Sequence, residues 1–122
     1  MDFIFDDEKP IYLQLIERVR LAIISGELPA GSRIPPVREL ALQAHINPNT
    51  VQRALAELEE SGLIYTERTN GKFVTEDPER IRREKENAAR ASLKRFREDL
   101  RRLAMTEEEI KALLKEEGPW SF

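Results

Sequence analysis

The sequence predicts a mainly α-helical chain carrying one small β-hairpin, and three observations predict it. Apolar residues recur at three- and four-residue spacing in several separate segments. Just after residue 62, two short runs of strand formers flank a turn signal. The last third is highly charged, with a sparse apolar seam at helical spacing. The length of 122 residues suits one or two small domains. With 40% hydrophobic and 35% charged residues, a modest core under a heavily charged surface is expected.

The chain opens with an acidic arm, "MDFIFDDEK", which holds three apolar residues available for docking. Pro10 suits the first turn of a helix, where its missing N–H is not needed. Tyr12, Leu15, Ile16, Val19 and Ile23 then predict an amphipathic helix over residues ~10–25, stopped by Gly26. "ELPAGSRIPP" reads as a turn-rich connector. Residues 36–44 form a short helix whose Val37, Leu40, Ala41 and Ala44 share one face. After a tight link at His45 and Ile46, Asn47 is a good N-cap and Pro48 sits at the first helical position. Gly62 ends this third helix. "LIYTE", the turn "RTNG" and "KFV" follow as a hairpin. Two short helices joined by a tight turn, with a hairpin behind them, make a winged helix-turn-helix domain over residues 1–76.

A helical tail covers residues 77–122, with Asp77 and Pro78 punctuating its boundary. Its long helix, from Glu79 to about Leu103, carries Leu93, Phe96, Leu100 and Leu103 in a 3-4-3 seam. Thr106 and Glu109 predict a capping box that opens a last helix with Ile110, Leu113 and Leu114 inward. These helices hold too few apolar residues for a core of their own. Their seam is expected to pair with a second copy of the chain. Trp120 and Phe122 are left without an assigned role.

Several function classes are excluded by composition. There is no Cys, so disulfides, thiolate metal sites and cysteine nucleophiles are ruled out. A single His argues against a His-based metal site or triad, and no Gly-rich phosphate loop is present, so neither an enzyme nor a cofactor is expected. No apolar run approaches the ~18–20 residues of a membrane span, and no signal peptide begins the sequence, so the cytoplasm is the expected compartment. The net charge of −3 argues weakly against nucleic acid, but the charge is sorted along the chain. Residues 28–56 hold Arg33, Arg38 and Arg53 against the single acid Glu39, and residues 80–102 hold ten Lys and Arg against four Asp and Glu.

Taken at 100° per residue from Pro48, Val51, Ala54, Leu55 and Leu58 gather on the core side of the third helix. Asn49, Gln52, Arg53 and Ala56 gather on the other side, with Thr50 at the edge. Asn and Gln pair bidentately with adenine, and Arg with guanine, in the major groove of DNA. A small residue such as Ala56 permits close approach, and a helix N-terminus favours a nearby phosphate. In an isolated helix a solvated polar face would be the simpler reading. Preceded by a short helix and followed by a wing, the face points to DNA. For Arg33, a phosphate contact stands equally open with a salt bridge to Glu39 or a solvated position. His45 reads as a surface or interhelical histidine rather than a metal ligand, and Tyr12 and Tyr65 as core. The basic run 80–102, with its interleaved acids, reads as the solvated face of a dimerisation helix.

The stretch "SGELPAGSRIPPVRELALQAHINPNTVQRALAELEESGLIYTERTNGKFV" resembles the DNA-binding domain of the GntR family of bacterial transcription regulators. The matching pieces are Ser25-Gly26, Leu28-Pro29 with Gly31, "RIPPVRELA", "NTVQRALAELE", "SGLI" and "GKFV". The "NPNTV" form and the short helical tail are similar to the YtrA-like subfamily. The resemblance implies that Arg38 contacts a phosphate, and that Asn47, Asn49, Thr50, Gln52 and Arg53 face bases or phosphates. It implies that Arg68, Gly71 and Lys72 form a wing that enters the minor groove, with Gly71 at its tip. This sequence departs from the family at Pro36, where Ser is common, and at Pro48 and Gln52, near which Arg or Lys is common. It departs again in the wing, which reads Thr69, Asn70, Gly71, Lys72 rather than glycine, basic residue, glycine, threonine.

The expected function is a homodimeric transcription regulator, a repressor, on a palindromic double-stranded DNA operator. The subfamily resemblance suggests transporter genes as targets. The alternative is a protein-interaction module using the winged helix as scaffold and the charged tail as partner surface. A tail of about forty residues leaves little room for a metabolite pocket of ordinary size, and a small-molecule effector is left open.

Overall fold

A computed structural model describes residues 1–118, and Trp120 and Phe122 lie outside the described residues. Seven elements follow in order: α1 (Ile11–Ile24), α2 (Val37–Ala44), α3 (Pro48–Glu60), β1 (Ile64–Glu67), β2 (Gly71–Val74), α4 (Pro78–Arg102) and α5 (Glu107–Glu117). Every element expected from the sequence is present, with ends shifted by a residue or two. Pro10 and Pro36 are caps rather than helical residues, because their extended ψ leaves them just outside α1 and α2.

The chain divides into two compact units, Met1–Lys85 and Glu86–Phe122. The first contains the core. Leu15, Val19 and Ile23 of α1, Leu40 of α2, and Val51, Leu55 and Leu58 of α3 are enclosed together with Ile34, Leu63, Ile64 and Val74. Each such side chain contributes about 2 kcal/mol by leaving water. Ile81, in the first turn of α4, packs against this cluster, so the compact unit runs past residue 76.

The α3 C-terminus is set by its glycine. Gly62 adopts φ +84, the Leu63 N–H donates to the Leu58 carbonyl at 3.2 Å, and the Gly62 N–H donates to that of Glu59 at 3.0 Å. This Schellman pair turns Leu63 back into the core beside Leu58. The hairpin that follows is antiparallel, with Ile64 opposite Val74, Tyr65 opposite Phe73, Thr66 opposite Lys72 and Glu67 opposite Gly71.

The connector before α2 does more than turn. Arg33 forms an isolated bridge to Phe73, the Ile34 N–H donates to the Lys72 carbonyl at 2.8 Å, and the Val74 N–H donates to that of Ser32 at 2.8 Å. Residues 32–34 thus line the free edge of β2. Periodicity could not foretell this, because the partner lies some forty residues away in sequence.

The acidic arm docks on α1. Met1, Phe3 and Phe5 pack against the core, while the alternate residue Ile4 is 92% exposed. Gln14 holds the arm by accepting from the Asp6 N–H at 2.9 Å and donating to the carbonyls of Asp6 and Lys9. Arg18 donates to the Asp2 carbonyl and pairs with Glu27 at 3.0 Å.

In the second unit no described residue of α4 or α5 is buried. Leu93, Phe96, Leu103 and Leu113 are exposed, and Leu100, Ile110 and Leu114 are half-buried. The expected capping box forms, with the Glu109 N–H donating to Thr106 Oγ1 at 3.2 Å and the Thr106 N–H donating to Glu109 Oε1 at 3.0 Å. Those bonds hold the Glu109 carboxyl below its usual range, chiefly through the Thr106 backbone.

Candidate nucleic-acid interface

The candidate surface begins at Asn47. Its Oδ1 accepts from the Asn49 N–H at 2.8 Å and so caps α3. Its carbonyl accepts from the N–H groups of Thr50 and Val51. Capping uses the side-chain oxygen and leaves the Asn47 amide N–H groups without a partner among the described residues. Capping therefore occupies one end of this exposed side chain and leaves the other available.

Along α3 the two faces separate as periodicity requires. Val51, Ala54, Leu55 and Leu58 are fully buried, whereas Asn49, Gln52, Arg53 and Ala56 are exposed and Thr50 is half-buried. A helix pinned along its whole inner face holds its outer side chains at fixed positions. The turn before it is equally defined. His45 adopts a left-handed conformation, φ 57 and ψ 44, and the Ile46 N–H donates back to the Ala41 carbonyl at 3.1 Å. His45 is exposed at the surface. Arg38, in the first turn of α2, lines a shallow apolar recess with Leu42, Ile46 and Pro48, which brings it to the start of α3.

The wing is built from a β-turn closed by the Asn70 N–H donating to the Glu67 carbonyl at 3.2 Å. Arg68, Thr69 and Asn70 keep negative φ, and the left-handed step falls on Gly71, at φ +97. The loop is three residues long, and pairing begins directly at Glu67 opposite Gly71. Gly71 thus closes the turn as the first residue of β2, and the tip itself is Arg68, Thr69 and Asn70. A Cβ at Gly71 would meet the Arg33 guanidinium at 3.4 Å. Arg33, Arg68, Thr69 and Lys72 line one groove of about 300 Å³ between the wing and the start of α2.

Two expected site residues are engaged elsewhere. Lys72 Nζ lies 3.0 Å from Glu59 Oε2 and donates to Thr66 Oγ1 at 2.9 Å, so it ties the wing to the end of α3. The Thr66 hydroxyl first, and Lys72 second, hold the Glu59 carboxyl below its usual range. The Arg53 guanidinium lies 3.8 Å from the centre of the Tyr12 ring. Tyr12 and Tyr65 were expected in the core, but both are half-buried, Tyr12 beneath Arg53 and Tyr65 stacked on Phe73 at 5.7 Å.

Among the described residues Arg33, Arg38, Arg53 and Arg68 form no ion pair, whereas Arg18 and Arg20 on α1 are paired with Glu27 and Glu17. Arg33 makes none with Glu39. Sequence reasoning did not decide for Arg33, and its pairing with Phe73 on β2 is what brings it to the wing.

A helix-turn-helix with a pinned polar front and a cationic wing defines a DNA-binding transcription regulator rather than an enzyme. Residues 11–74 match the family of bacterial regulatory proteins described as the gntR family. The HTH-type transcriptional regulator YhcF of Bacillus subtilis is 37% identical over 110 residues, covering 90% of this chain and 91% of that protein. The transcriptional repressor YtrA of the same organism is 41% identical over 68 residues, covering 56% of this chain and 52% of YtrA. A GntR family regulator from Listeria monocytogenes superposes with a TM-score of 0.84 at 41% identity, covering 92% of this chain and 98% of that one. The DNA-binding domain of AraR, solved with its operator, superposes at 0.57 with 26% identity, over 62% of this chain and 96% of that one. The chain belongs to the GntR family, in its YtrA-like branch. Among the described residues no helix is long and apolar enough to cross a membrane.

Proposed function

We propose that this regulator is a homodimeric repressor that inserts α3 of each protomer into the major groove of a pseudo-palindromic operator. The observation that carries the reading is the exposed front of α3, Asn49, Gln52 and Arg53, on a helix whose inner face is fully buried. Asn47 and Thr50 extend that front, and Arg38 supports the start of α3 as a phosphate contact. Arg33 and Arg68 supply the charge of the wing, with Gly71 closing its turn. Lys72 contributes to DNA only by leaving Glu59. The exposed seam of Leu93, Phe96 and Leu103, continued by Leu100, Ile110, Leu113 and Leu114, supports pairing of two copies. A two-fold dimer would read half-sites about one helical turn (~10 bp) or a multiple apart. The repressor names of YtrA and other relatives support the sign of regulation.

The test is fluorescence anisotropy on a duplex from upstream of the protein's own coding sequence, against a scrambled duplex, at two salt concentrations. A preference of about 10³-fold or more is the expected result. Equal, steeply salt-dependent binding to both duplexes would reject readout at that site. No binding to either would reject DNA recognition and favour the interaction module.

A further inference from the structure

We propose that Tyr12 is a positioning residue that turns Arg53 into a clamp on a DNA backbone phosphate rather than a reader of bases. The inference rests on the proposed insertion of α3 into the major groove. On the helical wheel of α3, Arg53 lies almost opposite the buried stripe of Val51, Ala54, Leu55 and Leu58, so a freely extended side chain would point straight at the base edges. It does not extend freely. Its guanidinium lies 3.8 Å from the centre of the Tyr12 ring, in the first turn of α1.

The stack draws the side chain sideways along the flank shared with α1. The floor of a major groove is base edges and its walls are phosphates, so a side chain drawn sideways meets a wall. A guanidinium lying on an aromatic face keeps its in-plane N–H groups free. Arg53 donates none of them to any partner among the described residues. Tyr12 is half-buried against the core, so its ring is itself held in place. The ring therefore fixes the guanidinium before DNA arrives and lowers the ordering cost of binding. Asn49 and Gln52, which lack such a tether, keep the base-reading role.

Two duplexes serve as probes: the tightest-binding one recovered by selection from a randomised library, and a scrambled duplex of equal length. Arg53→Ala should weaken binding to both by the same factor, about tenfold, and lower the slope of log affinity against log salt by about 1. Loss on the selected duplex alone, with an unchanged slope, would overturn the phosphate assignment. Tyr12→Phe should bind within about twofold of the parent, since the ring is kept. Tyr12→Leu should weaken binding severalfold in the parent and not at all in the Arg53→Ala background. Additive losses would overturn the positioning role. Should Tyr12→Leu fail to fold, a pentafluorinated phenylalanine at position 12 keeps the shape and removes the attractive ring face, and it should reproduce the coupled loss. If the parent binds neither duplex, the proposed function fails. If the parent discriminates and Tyr12 and Arg53 are uncoupled, only this inference fails.

Discussion

At the scale of single residues, two positions do opposite things to stability. His45 spends conformational energy in the helix-turn-helix link, because a left-handed backbone crowds its Cβ. His45→Gly should therefore raise the unfolding free energy by about 1 kcal/mol, seen as a melting-temperature rise of about 5 °C. A drop in melting temperature would mean that the imidazole makes a compensating contact. Glu59 instead contributes through its bonds to Thr66 and Lys72. Its folded pKa lies below the unfolded value of about 4.3, so its contribution is complete above that pH. The contribution fades as pH falls through the lower folded value. Glu59→Gln should melt below the parent at pH 7, with the gap closing under acid; a gap constant with pH would refute the linkage. The same change releases Lys72, so the variant should bind scrambled DNA more tightly at low salt.

Elements show why the candidate surface holds its shape. α3 is closed at its front by Asn47, fixed along its back by four fully buried side chains, and stopped by Gly62. Leu58 is enclosed near the end of α3 and meets Leu63 through the Schellman turn. Leu58→Ala should cost about 3 kcal/mol, because the cavity can collapse only partly. Chemical denaturation measures that loss, and a cost under about 1 kcal/mol would show that the end of α3 is loosely packed. The wing shows the same economy. Its turn places one left-handed residue at Gly71, and residues 32–34 cover the far edge of β2. A short hairpin gains rigidity when a third segment lines it.

For the whole molecule the governing contrast is between a unit with a complete core and one without. The first unit encloses some fourteen core residues in one cluster, while no described residue of α4 or α5 is buried. Leu103 is 70% exposed, a costly place for a large apolar side chain unless a partner covers it. Replacing Phe96 and Leu103 together by Asp should convert the proposed dimer to a monomer in sedimentation velocity. It should also weaken operator binding by about a hundredfold or more, since two linked sites become independent. An unchanged sedimentation coefficient would refute pairing through this seam.

Legibility in the sequence followed the range of the interactions. The two faces of α3, its Asn47 cap, its Gly62 stop and the Thr106–Glu109 capping box all depend on residues within a turn or two of one another. Periodicity and spacing therefore carried them. The hairpin was legible for the same reason, as strand formers around a turn. Arg33 beside the wing, Lys72 on Glu59, Tyr12 under Arg53 and the surface on which Phe3 and Phe5 dock were not. Each joins residues from separate elements, and nothing local distinguishes a lysine that meets a phosphate from one that meets a carboxylate. Type and order of elements came from short-range hydrogen bonding and hydrophobic spacing. Which described cations stay without an ion pair came from how those elements pack.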